Sequence, residues 1–313
     1  MTNTRILIDT DAGVDDMLAL FVLFQIVPES VVDVAVTFGN VPLDQASYNV
    51  GLFSLVSGFN PRQMFRGLSG PFHGEPHFAF DVHGGDGLSG ITHREYRNAT
   101  VKALTDDLTL TARAGCYRKI IALGPLTDVA VLTRNSRKPP ALYVMGGAFD
   151  VPGNVSPFGE FNFYSDPHAA AEVFDRYKGK IFVIPLDVCN QIVLYRQYFN
   201  ALCDEYPGAM VNFIRAIHQD YMSFYHRVEG IDGCHPHDAI AVCAALFDDK
   251  FSWERGRVSI VADGPRRGYS AFTTDGLSNH YVARRIDSDW FFGVLERAIA
   301  GHDSRRVKSD ASG

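Results

Sequence analysis

The sequence predicts an α/β protein with a mainly parallel central sheet flanked by helices, an open, Rossmann-like architecture. Three observations carry that expectation. Apolar strand-like runs alternate with helix-like runs along much of the chain, the order that builds parallel sheets covered on both faces. The strand-like runs are continuously apolar, as strands buried on both sides are. Each also ends in Gly, Asp, Asn or Thr, beyond which open parallel sheets bind their ligands.

The elements follow in order. Residues 6–8 read as a buried strand that runs into an aspartate cluster, and Gly13 marks a turn. A helix over 15–27, with an acidic first turn, stops at Pro28. A strand over 31–38 ends in Gly39-Asn40, and a helix over 43–56 follows. The Gly-, His- and Pro-rich stretch 67–98 reads as a long functional loop. Strands over 119–123, 141–145 and 181–184 end in Gly124-Pro125-Leu126-Thr127, Gly146-Gly147 and Pro185-Leu186-Asp187. Helices are expected from Thr127 and over 167–176, 195–227, 237–247 and 289–300, with short strands at 257–261, 268–272 and 280–286. No linker or repeat divides the chain, so one domain is expected over 1–302, with a polar, disordered tail over 303–313.

Composition narrows the function. The 313 residues carry 36 acidic against 29 basic side chains, a net charge of −7, which argues against a protein that tracks nucleic-acid backbones. The apolar stretch 17–27 is about half of the ~20 residues that a bilayer requires. No secretory leader is recognisable, so neither membrane insertion nor secretion is expected. Five cysteines without a C-x-x-C pair fit reduced thiols in the cytoplasm.

The feature to explain is Asp9-Thr10-Asp11-Ala12-Gly13-Val14-Asp15-Asp16. Helix capping accounts for one or two of these acids. Four close carboxylates repel one another unless a cation sits among them, and an all-oxygen set suits Ca²⁺ first and Mg²⁺ second. Zinc would prefer the sulfur and nitrogen of Cys234, His235 and His237, or the loop histidines His73, His77 and His83, but no matching second ligand pair follows Cys234. A strand followed by Asp-x-Asp also opens haloacid-dehalogenase-type Mg²⁺ phosphotransferases. Gly13 stands where those carry Thr or Val, and their later Lys and acidic pair have no evident counterpart.

The chain resembles the calcium-dependent nucleoside hydrolases of the inosine–uridine-preferring type. Their signature Asp-x-Asp-Pro-Gly-x-Asp-Asp matches 9–16 except that Ala12 replaces Pro. The resemblance continues through Thr37-Phe38-Gly39-Asn40, Gly124-Pro125-Leu126-Thr127 and Met145-Gly146-Gly147. Gly153-Asn154-Val155-Ser156-Pro157, Glu160-Phe161-Asn162, Asp166-Pro167 and His237-Asp238 follow in family order. One departure is Asp187-Val188-Cys189-Asn190, where relatives often carry Asp-Val-Thr-His.

The resemblance implies a ribonucleoside N-ribohydrolase that releases ribose and free base, from purine or pyrimidine nucleosides, in nucleoside salvage. It implies Ca²⁺ held by Asp11, Asp16, Asp238 and the carbonyl of Thr127, with Asp11 as general base for the attacking water. Asp15, Asn40, Asn154, Glu160 and Asn162 would bind ribose hydroxyls, with Met145 against the sugar. His237 is the expected acid for the departing base, His83 a second candidate, and Tyr225 a residue of the base pocket. A homodimer or homotetramer is expected. The rival readings are the phosphotransferase, and a non-catalytic nucleoside- or sugar-binding protein of the same fold.

Overall fold

β1 (Ile6–Thr10) lies inside a ten-stranded sheet, and the chain leaves it in two directions. The structure, a computed structural model, describes residues 4–104 and 106–310. From β1 the sheet steps outward through β2 (Val32–Val36), β3 (Gln63–Arg66) and β4 (Asp106–Asp107), all parallel. The chain then returns to the other side of β1 as β5 (Lys119–Ala122), and continues through β6 (Ala141–Met145) and β7 (Ile181–Ile184). β8 (Leu194–Tyr195) and β9 (Gly233–Cys234) form a separate ribbon. β10 (Phe251–Ile260), β11 (Ser270–Thr274) and β12 (His280–Ile286) complete the large sheet; β12 is parallel to β7, β10 antiparallel to β12, and β11 antiparallel to β10 at the edge. The reversal of strand order at β1 and β5 opens a crevice at their carboxyl ends.

Seven helices matter here: α1 (Val14–Ile26), α2 (Leu43–Ser57), α3 (Thr127–Thr133), α4 (Pro167–Arg176), α5 (Ala209–Glu229), α6 (His237–Leu246) and α7 (Ser288–Asp310). Strand alternation sends Ile8, Val34 and Ile121 into one core with α1, α5, α6 and α7. Leu7, Ala35 and Ile120 face the other core, with α3 and α4. α1 is apolar on every side because it is buried on every side, packed against α5, α6 and α7. α4 begins where Asp166 caps it, accepting from the Ala169 N–H at 3.0 Å, with Pro167 in the first turn.

The mainly parallel sheet expected from the sequence is present, and the strands over 141–145 and 181–184 keep their expected bounds. Four features differ. β3 was not expected: three of its four residues are only half-buried, which blurs the apolar signal. The helical stretch 195–227 is two helices, Arg196–Glu205 and α5, broken at Pro207-Gly208. β10 starts six residues before the expected strand at 257, since its exposed positions are Ser252, Arg255 and other polar residues. α7 continues past 300 to Asp310, so the expected disordered tail is helical as far as that residue; 311–313 lie outside the described residues.

One buried charge secures the amino-terminal end of the sheet. Asp33 of β2 is fully buried, receives the Arg62 guanidinium, and accepts from the Tyr117 hydroxyl at 3.0 Å. Removing one partner of a buried pair strands the other. Asp33→Ala is expected to lower stability by about 3 kcal/mol in urea unfolding; a loss below about 1 kcal/mol would show that Arg62 and Tyr117 find water instead.

Candidate active site

The turn from β1 into α1 gathers acids at the mouth of the crevice. Asp11 is held on both oxygens by Asn40, through its side-chain amide at 2.9 Å and its main-chain N–H at 2.8 Å. Asp16 accepts from the Thr10 hydroxyl, the Gly13 N–H at 2.8 Å and the Asn40 amide at 3.1 Å. Gly39 is required here: a Cβ on it would sit 1.9 Å from an Asp11 oxygen. α6 adds Asp238 in its first turn. Oxygens of Asp15, Asp16 and Asp238 lie within 4.8 Å of one another. This is the one His, Cys, Asp or Glu group among the described residues with metal-site spacing; neither histidine-rich segment brings three such side chains together. Asp9, the first acid of the motif, faces the opposite core beside Asp128 of α3.

Burial, and then repulsion from Asp16, raises Asp11 well above the usual carboxylate range. The same two causes push Asp15 up to about 8, against main-chain N–H groups and the Tyr221 hydroxyl. Asp238 is raised by burial and by Asp15, Asp16 and Asp11. No Lys or Arg lines the adjoining cavity to compensate them. Buried carboxylates with oxygen donors and no cationic side chain fit a hard divalent cation. Asp15, Asp16 and Asp238 are the side chains whose oxygens share the metal-site spacing.

The cavity, about 270 Å³, is near the small end of ligand pockets. Its lining includes Asp15, Asn40, Met145, Asn154, Glu160 and Asn162, together with Asp238. Asn162 donates to the carbonyls of Leu123 and Met145, at 2.7 and 3.2 Å, and so ties β5 to β6. Glu160 caps the short helix Phe161–Ser165 and accepts from the N–H groups of Asn162, Phe163 and Gly147; these bonds oppose the rise that burial imposes on it. The Asn154 side chain accepts from the Phe161 N–H at 2.9 Å. Thr127 opens α3 outside this lining, its hydroxyl donating to Asp166 at 2.7 Å.

Aromatic rings and histidines line the cavity as well. His83 Nδ1 accepts from the Val14 N–H at 3.1 Å, which leaves the proton of the neutral ring on Nε2. Its ring lies 5.2 Å from that of Tyr221. His237 Nε2 is 2.9 Å from the Tyr225 hydroxyl, and its Nδ1 is buried without a protein partner. Burial holds both histidines down to about 3, with His218 adding to His83, and His235 and His83 adding to His237. Sequence reasoning found Tyr225 here but missed Tyr221, Phe224, Val228 and Glu229, which share one face of α5. Their spacing of three or four residues was the available signal.

The acid cluster makes stability depend on pH and cation together. Asp11, Asp15 and Asp238 have folded values above the unfolded 3.8, so the folded protein keeps protons that the unfolded chain has lost. Their contribution is present below the unfolded value and is lost as pH rises toward about 8. At about pH 6.5 the unfolded histidines are still half protonated and oppose this slope; by about pH 7.5 they are neutral in both states and add none. Chelator-treated protein is therefore expected to show a falling Tm from about pH 7.5 to about 8.5, and Ca²⁺ to raise Tm more at the higher pH. A Tm indifferent to chelator and Ca²⁺ at both pH values excludes the cation site.

Comparison with known proteins identifies the family. The family model described as inosine-uridine preferring nucleoside hydrolase matches residues 6–293. The chain is 27% identical to the probable uridine nucleosidase 2 of Oryza sativa subsp. japonica, covering 86% of this chain and 82% of that protein. It is 27% identical to the pyrimidine-specific ribonucleoside hydrolase RihB of Escherichia coli O157:H7, covering 96% and 99% of the two chains. The solved plant nucleoside hydrolase PpNRh1 shares the fold with a TM-score of 0.85, at 24% identity over 95% of this chain and 99% of its own. Matched from β1 into α7, the chain belongs to the inosine-uridine preferring nucleoside hydrolase family and is a hydrolase of N-glycosyl bonds.

Proposed function

We propose that the protein is a ribonucleoside N-ribohydrolase that holds Ca²⁺ and cleaves purine and pyrimidine ribonucleosides to ribose and free base. The observation that carries this reading is one cavity lined by two sets of side chains, carboxylates and amides on the one hand and aromatic rings and histidines on the other. The first suits a polyol beside a cation, the second a planar base. When bound, the cation supplies Lewis-acid activation of water and a hold on the ribose diol. Asp11, Asp16, Asp238 and the Thr127 carbonyl are its ligands in this reading, with Asp15 at their edge.

Asp11 accepts the proton of the attacking water, and burial, which raises its proton affinity, suits it to that role. Asn40, Asn154, Glu160 and Asn162 orient the ribose, and Met145 lies against it. As the bond breaks, positive charge builds on the sugar and the surrounding carboxylates stabilise it. His237 hands the Nδ1 proton to the leaving base while its Nε2 takes the proton of the Tyr225 hydroxyl, 2.9 Å away, so that the ring stays neutral; His83 is the second candidate. A phosphotransferase is disfavoured, because no Lys or Arg lines the cavity to meet a phosphate. Five unpaired cysteines support a reducing, cytoplasmic setting, and among the described residues no helix is long and apolar enough to cross a membrane. The single domain over 1–302, a dimeric or tetrameric state and a place in salvage belong to the same proposal.

Ribose release from a panel of ribonucleosides and their 2′-deoxy analogues tests the reading, with activity expected on the ribosides only. Asp11→Ala is expected to lower kcat by about 10²–10⁴-fold in a protein that still folds; undiminished turnover rules it out as the base. His237→Ala is expected to slow inosine or uridine by about 10²-fold or more. It should leave p-nitrophenyl riboside, whose leaving group needs no proton, nearly unchanged; equal losses on both argue against the acid role.

A further inference from the structure

α5 presents Tyr221, Tyr225 and Glu229 to the cavity at four-residue spacing, in a row along one helical face. Tyr221 stands against His83, and Tyr225 against His237. Glu229 lies one turn (~5.4 Å) further along the helix, so the row ends in a carboxylate. Glu229 is the last residue of α5, where the partial negative charge of the helix end disfavours it. Its neighbour His235 holds Nε2 3.5 Å from the carboxylate and is itself anchored by Nδ1 on the Ile192 carbonyl at 2.6 Å. Glu229 is thus flanked by a fixed ring, with its side chain 42% exposed at the edge of the cavity.

Resting on the ribohydrolase reading, we propose that Glu229 is a specificity-determining residue that accepts hydrogen bonds from the outer edge of a guanine-type base. An ionised carboxylate only accepts, and offers two oxygens side by side. The edge of guanine remote from the sugar carries a ring N–H and an amino N–H in parallel, which such a carboxylate meets in bidentate fashion. Hypoxanthine offers the ring N–H alone. Adenine and unsubstituted purine turn a lone pair toward the carboxylate at that position. With Tyr225 and His237 at the five-membered ring, the six-membered ring extends along α5 toward Glu229, on the face that also carries Phe224 and Val228. A pyrimidine is one ring shorter and leaves Glu229 in water. His235 acts as a positioning residue for the carboxylate.

The test compares kcat/KM for guanosine, inosine, purine riboside, uridine and p-nitrophenyl riboside in the wild-type enzyme, Glu229→Gln and Glu229→Ala. Both substitutions fall on an exposed helix end, and intact turnover of p-nitrophenyl riboside reports that the variants fold. Glu229→Ala is expected to reduce guanosine turnover about 10- to 100-fold, chiefly through KM, with a smaller loss on inosine. Purine riboside, uridine and p-nitrophenyl riboside should be unaffected. Equal effects on guanosine and purine riboside overturn the proposal. So does a wild-type enzyme that cleaves uridine and p-nitrophenyl riboside but not guanosine, and either result leaves the ribohydrolase reading standing. Failure to cleave any riboside, p-nitrophenyl riboside included, overturns both.

Discussion

The arrangement of the molecule around its crevice follows from one electrostatic conflict. Asp11, Asp15, Asp16 and Asp238 are all buried, and oxygens of three of them lie within 4.8 Å of one another. Helix geometry eases the conflict in part. α1 and α6 both start at the cluster, so Asp15, Asp16 and Asp238 sit in first turns, where the partial positive charge of the helix end favours an acid. Each such placement contributes about 0.3–1 kcal/mol, rising to ~2 in partly buried geometry, whereas an unpaired buried charge costs several. Helix ends are therefore insufficient, and a divalent cation is the economical resolution. The fold delivers the helices to the right place because strand order reverses at β1 and β5.

A cluster under such strain has to be held from outside, and the supports are polar side chains bridging separate strand ends. Asn40, following β2, binds Asp11 and Asp16, from the turn after β1 and from α1. Asn162 joins β5 to β6. Glu160 fastens the loop after β6 to the short helix that follows it. These bonds use main-chain groups that the ends of strands leave free. Residues assigned to the sugar by family resemblance are thus also the residues that keep the crevice in shape.

How far the sequence revealed this depended on whether each signal was local. β6, β7 and α4 were legible to the residue, since apolar runs and the Asp-Pro start are written in adjacent positions. The acidic motif announced a cation, but not that Asp9 turns to the opposite core while Asp238 arrives from α6. β3 and the early part of β10 were missed because their half-exposed residues carry no continuous apolar pattern. The face of α5 that meets the cavity was also hidden: Tyr221 and Tyr225 sit at core-like spacing, and only packing distinguishes a pocket wall from a core. Family resemblance supplied what local pattern lacked wherever a role rests on side-chain identity.

Positions that contribute their main chain obey a different rule, and Ala12 shows it. It stands where the family signature carries Pro, yet its φ is +57°, a conformation that the proline ring forbids. The turn here therefore follows a path open to Ala but closed to Pro. A left-handed alanine costs roughly 1–2 kcal/mol, so neighbours must hold it. The Ala12 N–H donates to the Thr10 hydroxyl at 3.2 Å, and its carbonyl accepts from the Asn49 amide at 3.0 Å. Thr10 in turn donates to Asp16 and Asn49 reaches the Asp86 carbonyl, so the turn is pinned to the cluster on one side and the long loop on the other. The side chain at position 12 is not among the donors to the cluster, and that is why the signature can change there while the acids around it are kept.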